Sequence, residues 1–189
     1  WPFLLLYTAF AGLSVAYSHP AIRLKAHPWA SVVTVGSGQG VLAFLAGWAA
    51  TRGEVGSAVT AEGLLGALAA TALILTVYPL TQLYQVDEDS ARGDRTIAVT
   101  LGPVRSFNLA LGCLALGGAA MLVVLGRRFG AVDAALVGAA LLAQAVAIAW
   151  WSRRYQAGET LANYRRVMRL NTLSAAGLSA YMLARSVSQ

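Results

Sequence analysis

The sequence predicts an all-α protein, a polytopic transmembrane helical bundle, and two observations carry that prediction. The first is composition. Of 189 residues, 58% are hydrophobic and only 12% charged, with a mean hydropathy of +0.62, whereas a soluble domain carries roughly 25% charged residues. The second is a set of long apolar runs without a single charge, most of them near the ~20 residues a membrane-crossing helix needs. Their hydrophobicity is continuous rather than alternating, which reads as helix. A sheet is excluded because backbone polar groups in lipid must be satisfied within a helix or a closed barrel. The net charge of +6 then belongs to loops that orient a membrane protein, and not to a nucleic-acid surface. Cys113 is the single cysteine; it rules out an internal disulfide or a cysteine metal cluster and reads as a small packing residue.

Six spans are expected, at 1–17, 29–51, 63–86, 106–126, 134–152 and 168–185. The opening "WPFLLLYTAF" lies inside an apolar run without the basic flank of a signal peptide. The expectation is a chain that starts part-way through a membrane helix, with a further portion upstream of Trp1. In the second span Gly36, Gly38 and Gly40 have no strand before them, so they read as helix-packing residues rather than a phosphate-binding loop. Pro79 falls near the end of the third span and should kink or loosen it. Trp150, Trp151 and Tyr155, at the end of the fifth, suit an interfacial belt. The sixth extends back over Arg169, whose long side chain can snorkel to the interface. The connections are too short for a soluble domain, so residues 1–189 read as one integral-membrane domain.

If the helices alternate, the connections at 18–28, 87–105 and 153–169 share one side and hold ten of the fourteen basic residues. The positive-inside rule makes that side cytoplasmic. On it lies "YQVDEDSARGDRT" (Tyr84–Thr96), with half of the eight acidic residues of the chain. Asp87, Glu88 and Asp89 repel one another and call for a cation. Hard oxygen ligands suit Mg²⁺, which is usually held by one or two carboxylates plus substrate phosphates. Consecutive residues fan out around a helix, so not all three can face one ion; Gln85 and Asp89, four apart, are neighbours. Gly93 lets the chain turn there. On the same side "YSHPAIRLK" brings Arg23 and Lys25, donors suited to phosphate oxygens. Tyr17 either orients a phosphate or anchors the interface. Arg92 and Arg95 either neutralise a diphosphate or pair with Asp89 and Asp94. The plainer reading of both loops is solvated helix ends with mixed charge.

"YQVDEDSARGDRTIAVTLG", preceded by a proline-bearing apolar helix, resembles the second Asp-rich motif of the UbiA superfamily of intramembrane prenyltransferases. "YSHPAIRLK" is similar to a Tyr-Ser-x-Pro-Pro-x-Arg-Leu-Lys stretch of the same superfamily, and the two occur in the family's order. The resemblance implies part of a nine-helix bundle around a cavity open to lipid. It implies Mg²⁺ held at the cytoplasmic side by Asp-rich motifs, here Asp87, Asp89 and Gln85, with Asp89 and Asp87 as catalytic residues. It implies a prenyl diphosphate donor gripped by Arg23, Lys25, Arg92 and Tyr17. The reaction it implies is ionisation to an allylic cation that an aromatic or other lipophilic acceptor traps in the membrane, which in a prokaryote means the plasma membrane. Two departures stand out. The family's leading Asp is replaced by Gln85, a neutral amide, so that Asp87 is a candidate substitute. The first Asp-rich motif is absent, and its place is upstream of Trp1. A catalytically degenerate isoprenoid-binding protein is the alternative. A transporter subunit is the lesser one, because the spans hold almost no ionisable residue.

Overall fold

The computed structural model describes residues 1–187, and every regular element among them is helical. We number the long helices and the short one in the acidic loop in chain order. They are α1 (Pro2–Ser18), α2 (Pro28–Arg52), α3 (Ala61–Gln82), α4 (Val86–Ala91), α5 (Ile97–Phe129), α6 (Ala131–Arg153) and α7 (Thr160–Val187). Four of them, α2, α3, α5 and α6, are long and apolar enough to cross a membrane. The apolar α1 is shorter, and none of its residues is buried. Helix α7 contains the sixth expected span but starts at Thr160, with Arg165, Arg166 and Arg169 already inside it.

The bundle is organised around α3, which packs along α5 and against the middle of α2; α6 lies on the other side of α5, and α7 touches both α6 and α3. The glycines of α2 act as the sequence predicts, through close approach. A Cβ on Gly40 would lie 2.6 Å from Thr71 Cα, so only glycine lets these backbones meet. The same stretch, Gly36–Leu42, is wound as a π-helix, a form that appears mostly as one-turn insertions in α-helices; the sequence pattern gave no sign of it.

Besides the start of α7, two boundaries differ from the expected spans by more than three residues. Helix α3 stops at Gln82, three residues after Pro79 and short of Val86. Helix α5 begins at Ile97, not Ser106, because a charge such as Arg105 does not end a helix that can hold it in an exposed position. What interrupts α5 is Gly102, at φ 72° and ψ 173°, followed by Pro103, which is preorganised to restart a helix.

The most tightly buried cluster sits directly beneath the acidic loop and joins Leu80, Leu83, Phe107, Leu114, Ile148 and Trp151. Phe107 meets Trp151 edge-on at 5.0 Å. The expected interfacial pair therefore divides: Trp150 is 48% exposed, whereas Trp151 is 1% exposed and belongs to the core. Neighbouring helical residues point about 100° apart, so only one of the two can face outward. Burying an indole requires a partner for its N–H. Trp151 donates to Asn163 Oδ1 at 3.1 Å, and Asn163 donates on to the Gln156 carbonyl at 2.8 Å. Tyr155, also expected at the interface, is half-buried and donates to the Leu83 carbonyl at 2.9 Å. The end of α3 is thereby tied to the α6–α7 connection, giving the loop above it a fixed floor.

Candidate functional site: an acidic rim over a two-part cleft

The rim is built by a helix cap. After α3 the chain makes a tight turn, with the Gln85 N–H bonded to the Gln82 carbonyl at 3.1 Å, and then winds α4. Gly93 takes φ 76° and closes α4 with the paired bonds of a Schellman cap. In it Gly93 N–H reaches the Ser90 carbonyl at 3.0 Å and Asp94 N–H the Asp89 carbonyl at 2.9 Å. This cap folds Asp94 back beside Asp89, so that two carboxylates five residues apart face one space. Both are nearly inaccessible, with side chains 6% and 7% exposed.

Arg92 sits against both. Its guanidinium bonds Asp89 Oδ1 at 2.6 Å, approaches Asp94 Oδ2 at 3.4 Å, and also bonds Glu88. The hydrogen bond that Arg92 donates to Asp89, followed by the charge of Glu88, holds the Arg92 pKa above its ordinary value. Of the two readings open for Arg92, pairing with the acids is the one found.

The basic loop joins this rim directly. Arg23 donates to Asp94 Oδ2 at 2.9 Å, and the Arg95 N–H bonds the Ala26 carbonyl at 2.9 Å. Arg23 is the only non-glycine described residue with positive φ, at 45°, a sparsely populated backbone region. Lys25 differs from its neighbours: its ammonium has no ion-pair or hydrogen-bond partner among the described residues.

Beneath the rim lie two abutting cavities. The upper, of about 280 Å³, is lined by Lys25, Gln85, Asp89, Arg92, Asp94 and Thr96 among others. The lower, of about 480 Å³, is walled by α1, α2, α3 and α7, for example by Phe10, Leu13, Val35, Ile74, Val77 and Asn171, and no charged side chain lines it. Tyr17, Tyr78 and Thr81 line both. The hydroxyls of Tyr17 and Tyr78 stand 3.3 Å apart at the waist.

The residues singled out from sequence thus fall into three groups. Asp89, Gln85, Lys25, Arg92 and Tyr17 line the upper cavity, and Gln85 has an amide with no partner among the described residues. Arg23 stands behind Asp94. Asp87 is exposed on another face of α4 and is not part of the cavity wall; its charge, after burial, raises the Tyr155 pKa. Asp94, Tyr78, Thr81, Gln82 and Thr96 were not foreseen as part of the cleft. Polar residues crowd the last turn of an otherwise apolar run, from Tyr78 to Gln85, and that was the available signal. Nothing local marks Asp94, which needs the Schellman cap to come into place. Thr96 is buried, and its hydroxyl is without a partner among the described residues.

As oxygen donors, Asp89, Asp94 and the amide of Gln85 are the groups available to a hard cation. Among the described residues no three His, Cys, Asp or Glu side chains converge as a cage. Fold and site define a class: an all-α integral membrane protein with a charged cavity abutting an uncharged chamber. The chain matches the model of the UbiA prenyltransferase family over residues 1–173, and it belongs to that family. No match is found among curated proteins or among solved structures.

Proposed function

We propose that the protein transfers an isoprenyl group from a prenyl diphosphate to an aromatic or other lipophilic acceptor within the membrane, with Mg²⁺-assisted ionisation of the diphosphate. The observation that carries this reading is the two-part cleft, in which a charged upper cavity adjoins, at the Tyr17–Tyr78 waist, a chamber lined by apolar and neutral polar side chains and by no charged one. An amphiphile with an anionic head and a hydrocarbon tail fits both halves at once. Asp89 and Asp94, with the Gln85 amide, suit Mg²⁺ of the substrate-completed kind, for which one or two protein carboxylates suffice. Bound there, the metal would neutralise the charge that builds on the leaving diphosphate. Lys25, being unpaired, is the cation free to take a phosphate oxygen, and preorganised positive charge of this kind favours the departing group. The lower chamber, with no charged side chain in its wall, would shelter the allylic cation from bulk water until the acceptor attacks it. By the charge bias of the loops, the rim faces the cytoplasm, and in a prokaryote the membrane would be the plasma membrane.

The experiment is transfer of labelled isoprenyl from its diphosphate into a lipophilic product, using membranes that contain the protein. Transfer should require Mg²⁺, vanish with a chelator, and be lost in Asp89→Ala while the variant still inserts. Full activity in that variant would sink the proposal. The neutral Gln85 favours a second reading, a protein that binds isoprenoid without catalysis. Prenyl diphosphate binding with no turnover would support it.

A further inference from the structure

Resting on that reading, we propose that Arg92 is the resident cation of the cleft. It holds Asp89 and Asp94 while the cleft is empty, and turns to a phosphate oxygen when those carboxylates are engaged by a metal. Divalent cation and diphosphate would therefore bind strongly only together.

Three carboxylates, Glu88, Asp89 and Asp94, stand with three cations, Arg23, Lys25 and Arg92. These six charges already sum to zero. A divalent cation alone would leave two positive charges in excess, with Arg92 still against the ligands it needs. A diphosphate alone would leave an excess of negative charge, with both arginines committed to carboxylates. Uncompensated charge in a partly desolvated site is costly. Only the two together keep the balance near neutral.

Geometry then says which cation moves. Asp89 and Asp94 are nearly buried, at 6% and 7% side-chain exposure, whereas Arg92 is 42% exposed. Its guanidinium therefore has open space on one side. The backbone at Arg92 is fixed by the Schellman cap through Gly93 and Asp94, so the exchange needs only side-chain rotation. A planar guanidinium suits phosphate as well as carboxylate, because its paired N–H groups match the oxygen spacing of both. Arg23 is held differently. It is anchored by a left-handed backbone and by a 2.9 Å bond to Asp94, and it remains to steady that carboxylate when Arg92 leaves. Both roles of Arg92, acid partner and diphosphate ligand, then belong to one side chain at two stages.

The test measures binding, independent of turnover. The probes are Mn²⁺, followed by the spin-resonance signal of the free ion, and inorganic pyrophosphate, with the whole chain in detergent. The wild type should bind Mn²⁺ weakly alone and at least roughly tenfold more tightly with pyrophosphate, a factor in line with several charge-assisted bonds changing partners. Arg92→Gln should bind Mn²⁺ alone roughly tenfold more tightly than wild type, because its ligands no longer have a competitor, and should lose most of the pyrophosphate effect. Arg92→Lys keeps the charge without the fork, so it should stay weak for Mn²⁺ alone and show a reduced pyrophosphate effect; it serves as the readout if Arg92→Gln fails to fold. Unchanged or weaker Mn²⁺ binding in Arg92→Gln, or a full pyrophosphate effect in Arg92→Lys, would overturn the exchange. The control Asp89→Asn separates the two levels. If it abolishes Mn²⁺ binding with pyrophosphate while the Arg92 variants behave as wild type, the metal reading stands and the exchange fails. If Mn²⁺ binding survives in Asp89→Asn, the metal reading itself fails and takes the exchange with it.

Discussion

Asp133, at the start of α6, accepts a hydrogen bond from Tyr181 at 2.8 Å and pairs with Arg185 at 3.2 Å. Asp89, at the other end of the bundle, pairs with Arg92 at 2.6 Å. The chemistry of the two contacts is the same, an arginine against a mostly buried carboxylate, but their surroundings differ. Arg185 lies over the Phe129 ring at 4.9 Å, and the group joins the end of α5, the start of α6 and the end of α7. Neither cavity described above is lined by it. Around Asp89 the groups outnumber the bonds they make: among the described residues Lys25 and the Gln85 amide lack partners, and the buried Thr96 hydroxyl has none either. A contact that ties helices together closes on itself, whereas a site that receives a ligand keeps donors and charge in reserve. That difference, more than the presence of an ion pair, marks the rim as the functional end.

Parallel substitutions should separate the two ends of the bundle. The largest effect expected is from Asp89→Asn, which should lower prenyl transfer by about 10²–10³-fold, the size of losing one preorganised electrostatic group. Asp133→Asn should leave transfer within about twofold. Both are read from label transfer at matched protein levels, and equal losses would erase the distinction between the two ends. Next is Lys25→Gln, which removes a charged donor with no internal partner. The KM for the prenyl diphosphate should rise by about tenfold, with no change in thermal midpoint in detergent. Smaller again is the stability change in Asp133→Asn, about 1 kcal/mol for a partly exposed pair, measured by thermal unfolding. Smallest is Tyr78→Phe. It removes a long hydroxyl contact of 3.3 Å and should alter KM by no more than about threefold; a larger change would make the waist a part of substrate recognition rather than a passage.

How far the sequence could be read depended on the range of the interactions involved. The helices followed from uninterrupted apolar runs, since lipid allows the backbone few other solutions. The meeting of the acidic and basic loops followed from counting charges on alternate sides, and it takes form as the Arg23–Asp94 bond at 2.9 Å. That three consecutive carboxylates fan out was legible from helical geometry, yet Asp87 was still expected beside Asp89 as a metal ligand and catalytic residue; it is exposed and outside the cavity wall. Asp94 was not legible, since its position depends on a cap that converts a chain separation of five residues into proximity. Nor was the burial of Trp151, which depends on what α7 brings against it through Asn163. The break at Gly102 was written in the Gly-Pro pair, yet it was obscured by taking Arg105 as the end of a loop.

The π-wound stretch Gly36–Leu42 bears on how this helix could change by descent. It behaves as a one-residue insertion in a regular helix, so deleting one residue, Ser37 for instance, would restore ordinary winding without breaking the span. The wider turn has already absorbed the extra residue, so Ala43–Arg52 would keep its rotation relative to Pro28–Val35. Ala46 and Ala49, now buried, would stay in their contacts. A residue lost instead from Ala43–Arg52, where the winding is regular, would turn everything beyond it by about 100°. The length of this helix is thus open to change at the π-wound stretch and closed to it elsewhere.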